Sequence, residues 1–441
     1  MMWFSSVKGN FMSGKFYRGI LVAAAVFAGA ISVSAEDDTG AYGGFTPYSL
    51  FGFGDLHTMG SAYTASMGGV GVASRNHRYI NPMNPAAVTA RDSLAFMVDM
   101  SLYQGNRYFK QYSGASALKS VNNTFNIGDC IISFPIYRSS AMMVGIMPYS
   151  STGYGYSYYE EDPQILAETG NISYSYGGQG SIYQIFAAAG VTFWDRLSLG
   201  AEALYYFGNI VKKSSVVFDN SSFRGISGID RANVSTFSGK FGMQYFQPIG
   251  ADWNFGVGAT YKLGSPMRGI VTFDGLEGDA GSVNFADELG AGLSARFRDN
   301  LTVEFDYLLS DWSKSGFENS PFFSVNGESN PFVSKKYRSF RLGAEYVPDR
   351  RDPRYYFKRV SYRAGVYYND DYFTVGGNRI DAKGITLGAT FPVFNGFNAV
   401  TVAIDFGQRG SIANNLVKET YVNFSFAVNL YDRWFYKMQY E

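Results

Sequence analysis

The stretch YVNFSFAVNL, from Tyr421 to Leu430, alternates between apolar and small or polar residues. One set of alternate positions carries only apolar side chains: Val422, Phe424, Phe426, Val428 and Leu430. Because successive side chains of a strand point to opposite faces, the stretch predicts a strand with one dry and one wet face. The dry face must meet either a packed core or a lipid bilayer, and the rest of the chain distinguishes the two.

The same alternation recurs along most of the chain. It is clear at residues 301–310 and 397–407, and about fourteen segments between residues 94 and 430 fit it. Short links such as 194–196 take turns with long ones, which lie at about 106–121, 155–179, 212–231, 275–286, 311–335, 369–382 and 408–417. An even strand number with alternating short and long connections is typical of transmembrane barrels. We therefore predict an all-β, antiparallel transmembrane β-barrel of about 14 strands, with a soluble all-β protein as the alternative.

Composition favours a barrel in the outer membrane of a Gram-negative bacterium. The chain has 441 residues, with 38 Phe, 34 Tyr and 51 Gly but only 17% charged residues. Its 37 basic and 37 acidic side chains provide no basic field for nucleic acid. After Ala35 no apolar run approaches the roughly 18 residues of a spanning helix. Cys130 is the single cysteine, so the chain must be stable without an internal disulfide.

Residues 1–35 have the design of a secretory signal peptide. A basic segment is followed by an apolar run and by Val33-Ser34-Ala35, where a signal peptidase can cut. We predict export through the Sec pathway and removal of this segment, with an uncleaved membrane anchor as the alternative. Either Met1 or Met12 can be the true start.

Residues 36–92 lie before the first predicted strand and lack its alternation. They include the small-residue run GSAYTASMGGVGVAS at 60–74. Irregular backbone at membrane depth is tolerated only inside protein or against water. We predict that 36–92 form a hatch inside the lumen of a barrel at 93–430, and that 431–441 form a periplasmic tail. A loose periplasmic extension is the alternative for the hatch.

Two motifs resemble the FadL/TodX family of outer-membrane transporters for long-chain fatty acids and other hydrophobic compounds. The segment from Gly60 to Phe96 resembles the family's N-terminal hatch, with Asn84-Pro85-Ala86 leading into the first strand, although the preceding Asn81-Pro82 is a second possible match. The third strand, MMVGIMPYSSTGYG, is similar to the family's Gly-x-x-Pro-aromatic strand. YSLFGFGDLH near the start and DRWFYK near the end resemble branches of the family from the Bacteroidetes group.

The resemblance implies a monomeric barrel that lies among outer-membrane lipids and passes hydrophobic cargo through its lumen and sideways into the membrane. The barrel-assembly machinery would be a partner during biogenesis. The alternative is a barrel that transports nothing and anchors surface or secretion partners.

The third strand is the predicted site of ligand passage. Pro148 cannot donate to the ladder, so proline within a strand indicates a bulge or an interruption of pairing. Five residues form the predicted lateral opening: Met143, Gly145, Met147, Pro148 and Tyr149. The methionines face the lumen by parity, and flexible thioethers suit variable apolar cargo. An ordinary β-bulge without an opening is the alternative.

Two further sets of side chains are candidates for a functional role. By parity a ladder of charges faces the lumen: Arg296, Glu304, Asp306, Arg341, Glu345, Arg359 and Arg363. It can brace the wall and hold the hatch, or bind substrate. The long loop at 311–335 carries Phe317, Phe322, Phe323 and Phe332, which can capture hydrophobic ligands or pack the loop.

The sequence gives no support for an enzyme. The only histidines, His57 and His77, lie in the hatch region, so no predicted strand offers the Ser–His pair of a barrel phospholipase. No zinc spacing, phosphate loop or calcium loop is present. We therefore expect no catalytic residue, no metal site and no cofactor.

Overall fold

The computed structural model describes most of the chain beyond residue 43: residues 44–91, 95–113, 116–137, 139–324, 332–393 and 398–433. The predicted signal peptide and most of the predicted tail lie outside these ranges. The described chain from residue 44 onward belongs to one compact unit.

Twenty strands make up most of the structure, and their bounds are β1 (Asp55–Leu56), β2 (Ala95–Ser113), β3 (Ser116–Tyr137), β4 (Ser140–Tyr159), β5 (Ile172–Phe193), β6 (Leu197–Phe218), β7 (Ile226–Ile249), β8 (Trp253–Lys262), β9 (Ser265–Pro266), β10 (Val271–Phe273), β11 (Leu276–Gly278), β12 (Asn284–Phe285), β13 (Asp287–Phe297), β14 (Leu301–Asp311), β15 (Phe332–Ser334), β16 (Lys336–Tyr346), β17 (Ser361–Val375), β18 (Asn378–Val393), β19 (Asn398–Arg409) and β20 (Lys418–Arg433). The α-helices are α1 (Ala62–Ala65) and α2 (Pro163–Thr169), and short 3-10 turns occupy Pro47–Leu50, Pro85–Ala90, Trp312–Lys314, Phe317–Asn319, Tyr356–Lys358 and Ala413–Asn415.

Fourteen of these strands close into one antiparallel barrel. Neighbours in sequence pair in order from β2 to β8, then β13, β14 and β16 to β20. The ring closes where β2 pairs with β20, from Ala95 opposite Arg433 to Lys110 opposite Lys418. The small strands β9 to β12 and β15 belong to the long connections. The predicted fold class is therefore confirmed, with the last strand ending at Arg433.

Alternation places apolar side chains on the outside of this barrel. On β20, Phe424, Phe426 and Leu430 are 42%, 44% and 50% exposed, whereas Asn423 and Asn429 are buried on the lumen side. Large apolar side chains exposed at alternate positions satisfy the lipid contact that a transmembrane strand requires. The apolar face of residues 421–430 is thus on the outside of the barrel.

No helix in the described part of the chain is long and apolar enough to cross a membrane.

Strands β2 to β7 are longer than the sequence predicts. They contain 19 to 24 residues, although about 9–11 residues of a tilted strand cross a bilayer. The expectation of long loops at 106–121, 155–179 and 212–231 is therefore wrong, because more than half of each region is paired strand. Beyond the membrane no lipid requires an apolar face, so alternation weakens while the ladder continues.

Residues 44–91 lie in the lumen as the predicted plug. Their side chains and backbone bond to lumen-facing residues of the wall, as where Gly71 N and Val72 N donate to Asp306 Oδ2 at 2.6 and 2.9 Å. Many of these residues are fully buried, including Phe53, Met67 and Val70. We keep the name hatch for residues 44–91.

We predict that Phe424→Arg lowers the free energy of unfolding by about 2–4 kcal/mol, because the guanidinium would replace a ring on the lipid face. Urea unfolding in lipid vesicles, followed by heat-modifiable gel migration, measures the loss. Phe424→Leu keeps an apolar contact and should cost much less. Equal stability of the two variants would contradict the placement of this face in lipid.

Candidate functional site

The hatch rests against wall positions that have no side chain. At eight lumen-facing glycines an added Cβ would approach the hatch at 2.9 Å or less: Gly388, Gly365, Gly343, Gly292, Gly258, Gly242, Gly200 and Gly190. We call these eight positions the glycine belt. Their contacts move from Ser66 at β18 to Val88 at β5, so the hatch follows the inside of the wall. Glycine is the residue that permits such close backbone approach.

The predicted hatch motif holds the end of this path. Asn84 is fully buried, and its Nδ2 donates to Val72 O at 2.7 Å while its Oδ1 accepts from Ala86 N at 3.0 Å. It thereby caps the 3-10 turn that begins at Pro85. Asn81 plays a similar local role, since its Nδ2 donates to Gly71 O and Ser74 O. Pro82 follows Asn81 directly and is also buried.

The wall is incomplete between β3 and β4. Pairing of these strands runs from Tyr137 opposite Ser140 to Cys130 opposite Ile146 and then stops. Above this row β4 continues to pair with β5 on its other side, and β3 continues to pair with β2. Beyond this row the described parts of the two strands are not paired with each other. We call this interruption of pairing, which begins at Asp129 and Met147, the opening.

Of the five predicted passage residues, Met147, Pro148 and Tyr149 lie where the pairing of β3 with β4 has stopped. Met143 and Gly145 lie below this point and are paired with Ser133 and Ile131, so their predicted place in the opening is wrong. Pairing between β4 and β5 shifts register between Pro148 and Ser150, which leaves Tyr149 in a bulge. Met143, Met147 and Tyr149 are buried on the lumen side. A Cβ on Gly145 would lie 2.8 Å from the ring of Phe186 and 3.0 Å from Cys130 O. The strand is thus tightly packed below the opening and irregular at its lower edge.

A strand of the hatch covers the free edge of β4. In β1, Asp55 pairs with Ser151 and Leu56 with Ser150, and His57 N donates to Tyr149 O at 2.9 Å. Farther along the edge, Thr46 N donates to Gly153 O at 2.8 Å. The hatch therefore satisfies backbone groups that β3 would satisfy in a fully closed sheet.

Buried ion pairs hold this covering strand from the other side. Asp55 receives Arg107 Nη2 of β2 at 2.9 Å and Arg409 Nη1 of β19 at 2.8 Å. Arg107 also pairs with Glu419 at 2.7 Å, and Arg409 pairs with Asp371. We call these five residues the Asp55 network. It links the hatch to β2, β17, β19 and β20.

Sequence reasoning missed the Asp55 network. Arg107, Asp371 and Arg409 lie where long loops were expected, and Asp55 lies in a segment without a periodic pattern. The available signal was the presence of charged residues within Gly- and aromatic-rich segments. Pairing across more than 300 residues of sequence leaves no local pattern.

A cavity of about 320 Å³ connects these features. Its lining combines the covering strand, the Asp55 network and both edges of the opening, including Asn126, Ile127 and Gly128 of β3 and Met147, Pro148 and Ser151 of β4. It also reaches Leu102 and Tyr183, whose side chains are exposed on the outer face. A smaller cavity of about 70 Å³ shares the hatch residues Leu56, His57 and Thr58 with the first and contacts Met59, Met83 and Leu308.

Most residues of the predicted charge ladder contact the hatch. Arg341 donates to Gly69 O and Thr58 Oγ1, Arg296 to Arg75 O, and Arg363 lies over the ring of Tyr63 at 4.3 Å. Glu345 pairs with Arg363 at 2.8 Å and with Arg350 at 2.6 Å. Asp306 accepts the hatch amides described above, and Glu304 is buried beside Ser294. These contacts favour the wall-bracing role over direct substrate binding.

Arg359 differs from the rest of that ladder. It lies at the end of the 3-10 turn Tyr356–Lys358, before β17 begins, and its guanidinium stacks over Tyr356 at 5.1 Å. The expectation that Arg359 faces the lumen from a strand is therefore wrong, because β17 begins only at Ser361.

The loop phenylalanines form a buried cluster. Phe317, Phe322, Phe323 and Phe332 are at most 2% exposed. Phe317 and Phe323 pack edge-on against Phe53 of the hatch at 4.9 and 5.3 Å. Loop packing, the second of the two alternatives, accounts for these side chains in this conformation, because burying large rings stabilises the loop against the hatch.

The family model of BamG matches residues 18–441. The chain belongs to the BamG family. Solved structures similar to this BamG-family chain include the Pseudomonas putida toluene transporter TodX, with 12% identity, a TM-score of 0.56, and coverage of 86% of this chain and 100% of that one. The CymD monoaromatic hydrocarbon channel has 14% identity and a TM-score of 0.53, covering 84% and 97%.

A FadL homologue from Pseudomonas aeruginosa has 12% identity to this BamG-family chain and a TM-score of 0.52, covering 86% and 99%. At these identities the likeness shows a shared fold. The fold of this BamG-family chain is thus that of the FadL/TodX-type hydrophobic-compound transporters. No curated protein matches the sequence.

We predict that Gly242→Ala loosens the hatch, because its Cβ would overlap Asn84 Oδ1 and lie 2.7 Å from Pro85 Cδ. Limited trypsin digestion of the folded barrel should then cut after Arg75, Arg78 or Arg91 at least several-fold faster. Gly239→Ala on the same strand is the control, since its nearest neighbour would be Leu263 Cδ1 at 3.6 Å. Equal digestion of the two variants would disprove the seating role of the glycine belt.

We predict that Asp55→Ala destabilises the covering strand by about 3–5 kcal/mol, because two buried guanidiniums lose their shared carboxylate. Hydrogen exchange read by mass spectrometry should rise at residues 54–58. Asp252→Ala, which removes an exposed pair with Arg298, should change stability by at most about 1 kcal/mol. Unchanged exchange at 54–58 would show that backbone pairing alone holds the strand.

Proposed function

We propose that this chain is an outer-membrane channel for the uptake of hydrophobic small molecules, long-chain fatty acids or similar compounds. Cargo enters at the long-loop end, passes the hatch and leaves sideways between β3 and β4. The observation that carries the proposal is the lateral opening, whose two edges both line a cavity that reaches the lumen. A cavity of this size is at the lower end of small-molecule sites.

The hatch gives this route a gate. The covering strand β1 lies on the free edge of β4, and the Asp55 network fixes it to the opposite side of the opening. Because strand β1 contains only two residues, few backbone bonds must break to uncover the edge. Leu56 and His57 line both cavities, so cargo that displaces these two residues would join the two cavities into one.

The resemblance in fold to transporters of toluene and other monoaromatic hydrocarbons supports apolar cargo as a class. The apolar residues at the opening are consistent with it: Leu102, Ile127, Met147, Pro148 and Tyr183. The ions of the Asp55 network are already paired with one another, so they need no charged ligand. We assign no enzymatic role, and we propose that the protein is a monomer. In this proposal residues 1–35 are removed after Sec export, the segment 36–92 contains the hatch, and the residues after the last strand form a periplasmic tail. That strand ends at Arg433 and not at Leu430 as the sequence predicts.

A second candidate function is a barrel that anchors partners and transports nothing. The buried aromatic cluster favours it, because Phe53, Phe317 and Phe323 fill the region under the long loop and narrow the entry. Membership of the BamG family also supports a link with barrel assembly. In this role the long strands β2 to β7 would present the binding surface.

A substitution inside the opening tests the transport proposal. Asn126→Trp places an indole among the cavity-lining residues, and uptake of radiolabelled toluene or oleate by cells that lack other hydrophobic channels should fall several-fold. Phe125→Trp is the control, since Phe125 is 67% exposed and lies outside the cavity lining. Both variants should reach the membrane and migrate on gels as folded barrels.

Uptake that equals the control in the Asn126→Trp variant would exclude exit at this opening. A native protein that moves neither compound, but is recovered in a stable complex with barrel-assembly components, would establish the anchoring role instead.

A further inference from the structure

Two buried carboxylates lie next to each other at the foot of the lateral opening. Asp99 of β2 and Asp129 of β3 are 3% and 1% exposed. Asp129 pairs with Ser101, and Asp99 pairs with Ile131, so the two are diagonal neighbours on the lumen face. Two negative charges buried this close repel each other unless a proton or a cation neutralises them.

Three of the four oxygen atoms of this pair have no donor in good hydrogen-bond geometry within the described structure. Ser101 presents its hydroxyl and its backbone amide to Asp129, but neither contact has good geometry, and Asp99 Oδ1 accepts no hydrogen bond. Asn429 of β20 is directed at the same place, because its Nδ2 lies 3.1 Å from Asp99 Oδ2. Asn429 is 2% exposed, and its own Oδ1 also has no donor. Three adjacent strands thus direct four unsatisfied oxygens into one buried region.

Among the described residues, no Arg or Lys side chain forms an ion pair with Asp99 or Asp129. Arg91 lies one row away and donates to Ser133 Oγ at 2.6 Å, and it forms no ion pair with either carboxylate. The arginines of the Asp55 network are paired with Asp55, Asp371 and Glu419. Within the described part of the chain, no ion pair neutralises either carboxyl group of this pair.

We propose that Asp99, Asp129 and Asn429 bind one divalent cation, with Ca²⁺ the best match. The donors are all carboxylate or amide oxygens, which Ca²⁺ prefers, and it accepts irregular geometry with water completing six to eight ligands. Ser101 and Gly128 beside the pair line the large cavity, which gives water access. Mg²⁺ fits less well, since it demands a near-ideal octahedron.

This site departs from the expectation of no metal. The described residues hold no group of three or more His, Cys, Asp or Glu suited to a metal. The proposed site therefore has two carboxylates and takes its third protein ligand, the amide oxygen, from Asn429. The bound ion would join β20, β2 and β3 directly below the point where β3 separates from β4. It would thereby fix the lower corner of the opening.

Calcium titration of the purified full-length protein in detergent, after chelator treatment, tests the site. Isothermal calorimetry should give one Ca²⁺ per chain. Asp129→Asn and Asp99→Asn should each raise the Kd at least tenfold, while Asp252→Asn, in an exposed turn, should leave it unchanged. Because each of the first two variants also removes repulsion, it should unfold at a higher temperature than the native protein in EDTA, and at a lower one in millimolar Ca²⁺.

Three results would overturn the proposal. The first is an absence of calorimetric binding. The second is binding that both asparagine variants retain at native affinity, which would place the ion elsewhere. The third is native protein that is stabilised in EDTA by acid and in no condition by Ca²⁺, which would show that the two carboxylates share a proton. None of these measurements involves cargo, so they are independent of the transport proposal.

Discussion

Backbone pairing between the hatch and the free edge of β4 is the interaction on which the rest of the architecture depends. A barrel avoids exposed edges by closing completely, and here β3 and β4 stop pairing above Cys130 and Ile146. At that place a two-residue strand of the hatch takes the role of the missing neighbour. The wall is therefore continuous while β1 is paired with β4. It can also be interrupted, because β1 belongs to the hatch and not to the barrel.

The sequence predicts the parts of the fold that lipid enforces. Alternation is strict where one face meets hydrocarbon, so strand number, order and the outer face of residues 421–430 were accessible without coordinates. Alternation weakens where strands pass beyond the bilayer, and the sequence therefore predicts loops where the hairpins of β2 to β7 continue as paired strand. Contacts between distant segments, such as Arg107 with Glu419, leave no trace in a local pattern, so the Asp55 network was not predicted.

The interior of this barrel is unusually rich in ionic contacts for a proposed route of apolar compounds. Most of the buried charges are arranged to satisfy one another or the hatch backbone, as Arg363 does with Glu345 and Asp306 with Gly71. Such internally compensated charges present little net field to cargo. Asp99 and Asp129 are an exception, and they lie at the foot of the opening, so a change in their charge acts on the part of the wall where pairing stops.

The glycine belt also constrains the order of folding. Through the glycine belt alone the hatch lies against eight strands. The hatch precedes β2 in the chain, so docking it after β20 has paired with β2 would require nearly fifty residues to thread into a finished ring. Protein chains rarely thread in this way. An order in which the hatch docks while the sheet is still open, and the strands then close around it, avoids this threading. A fault in hatch docking would then appear first as slow or failed pairing of β2 with β20, and only later as leakage of solutes through the barrel.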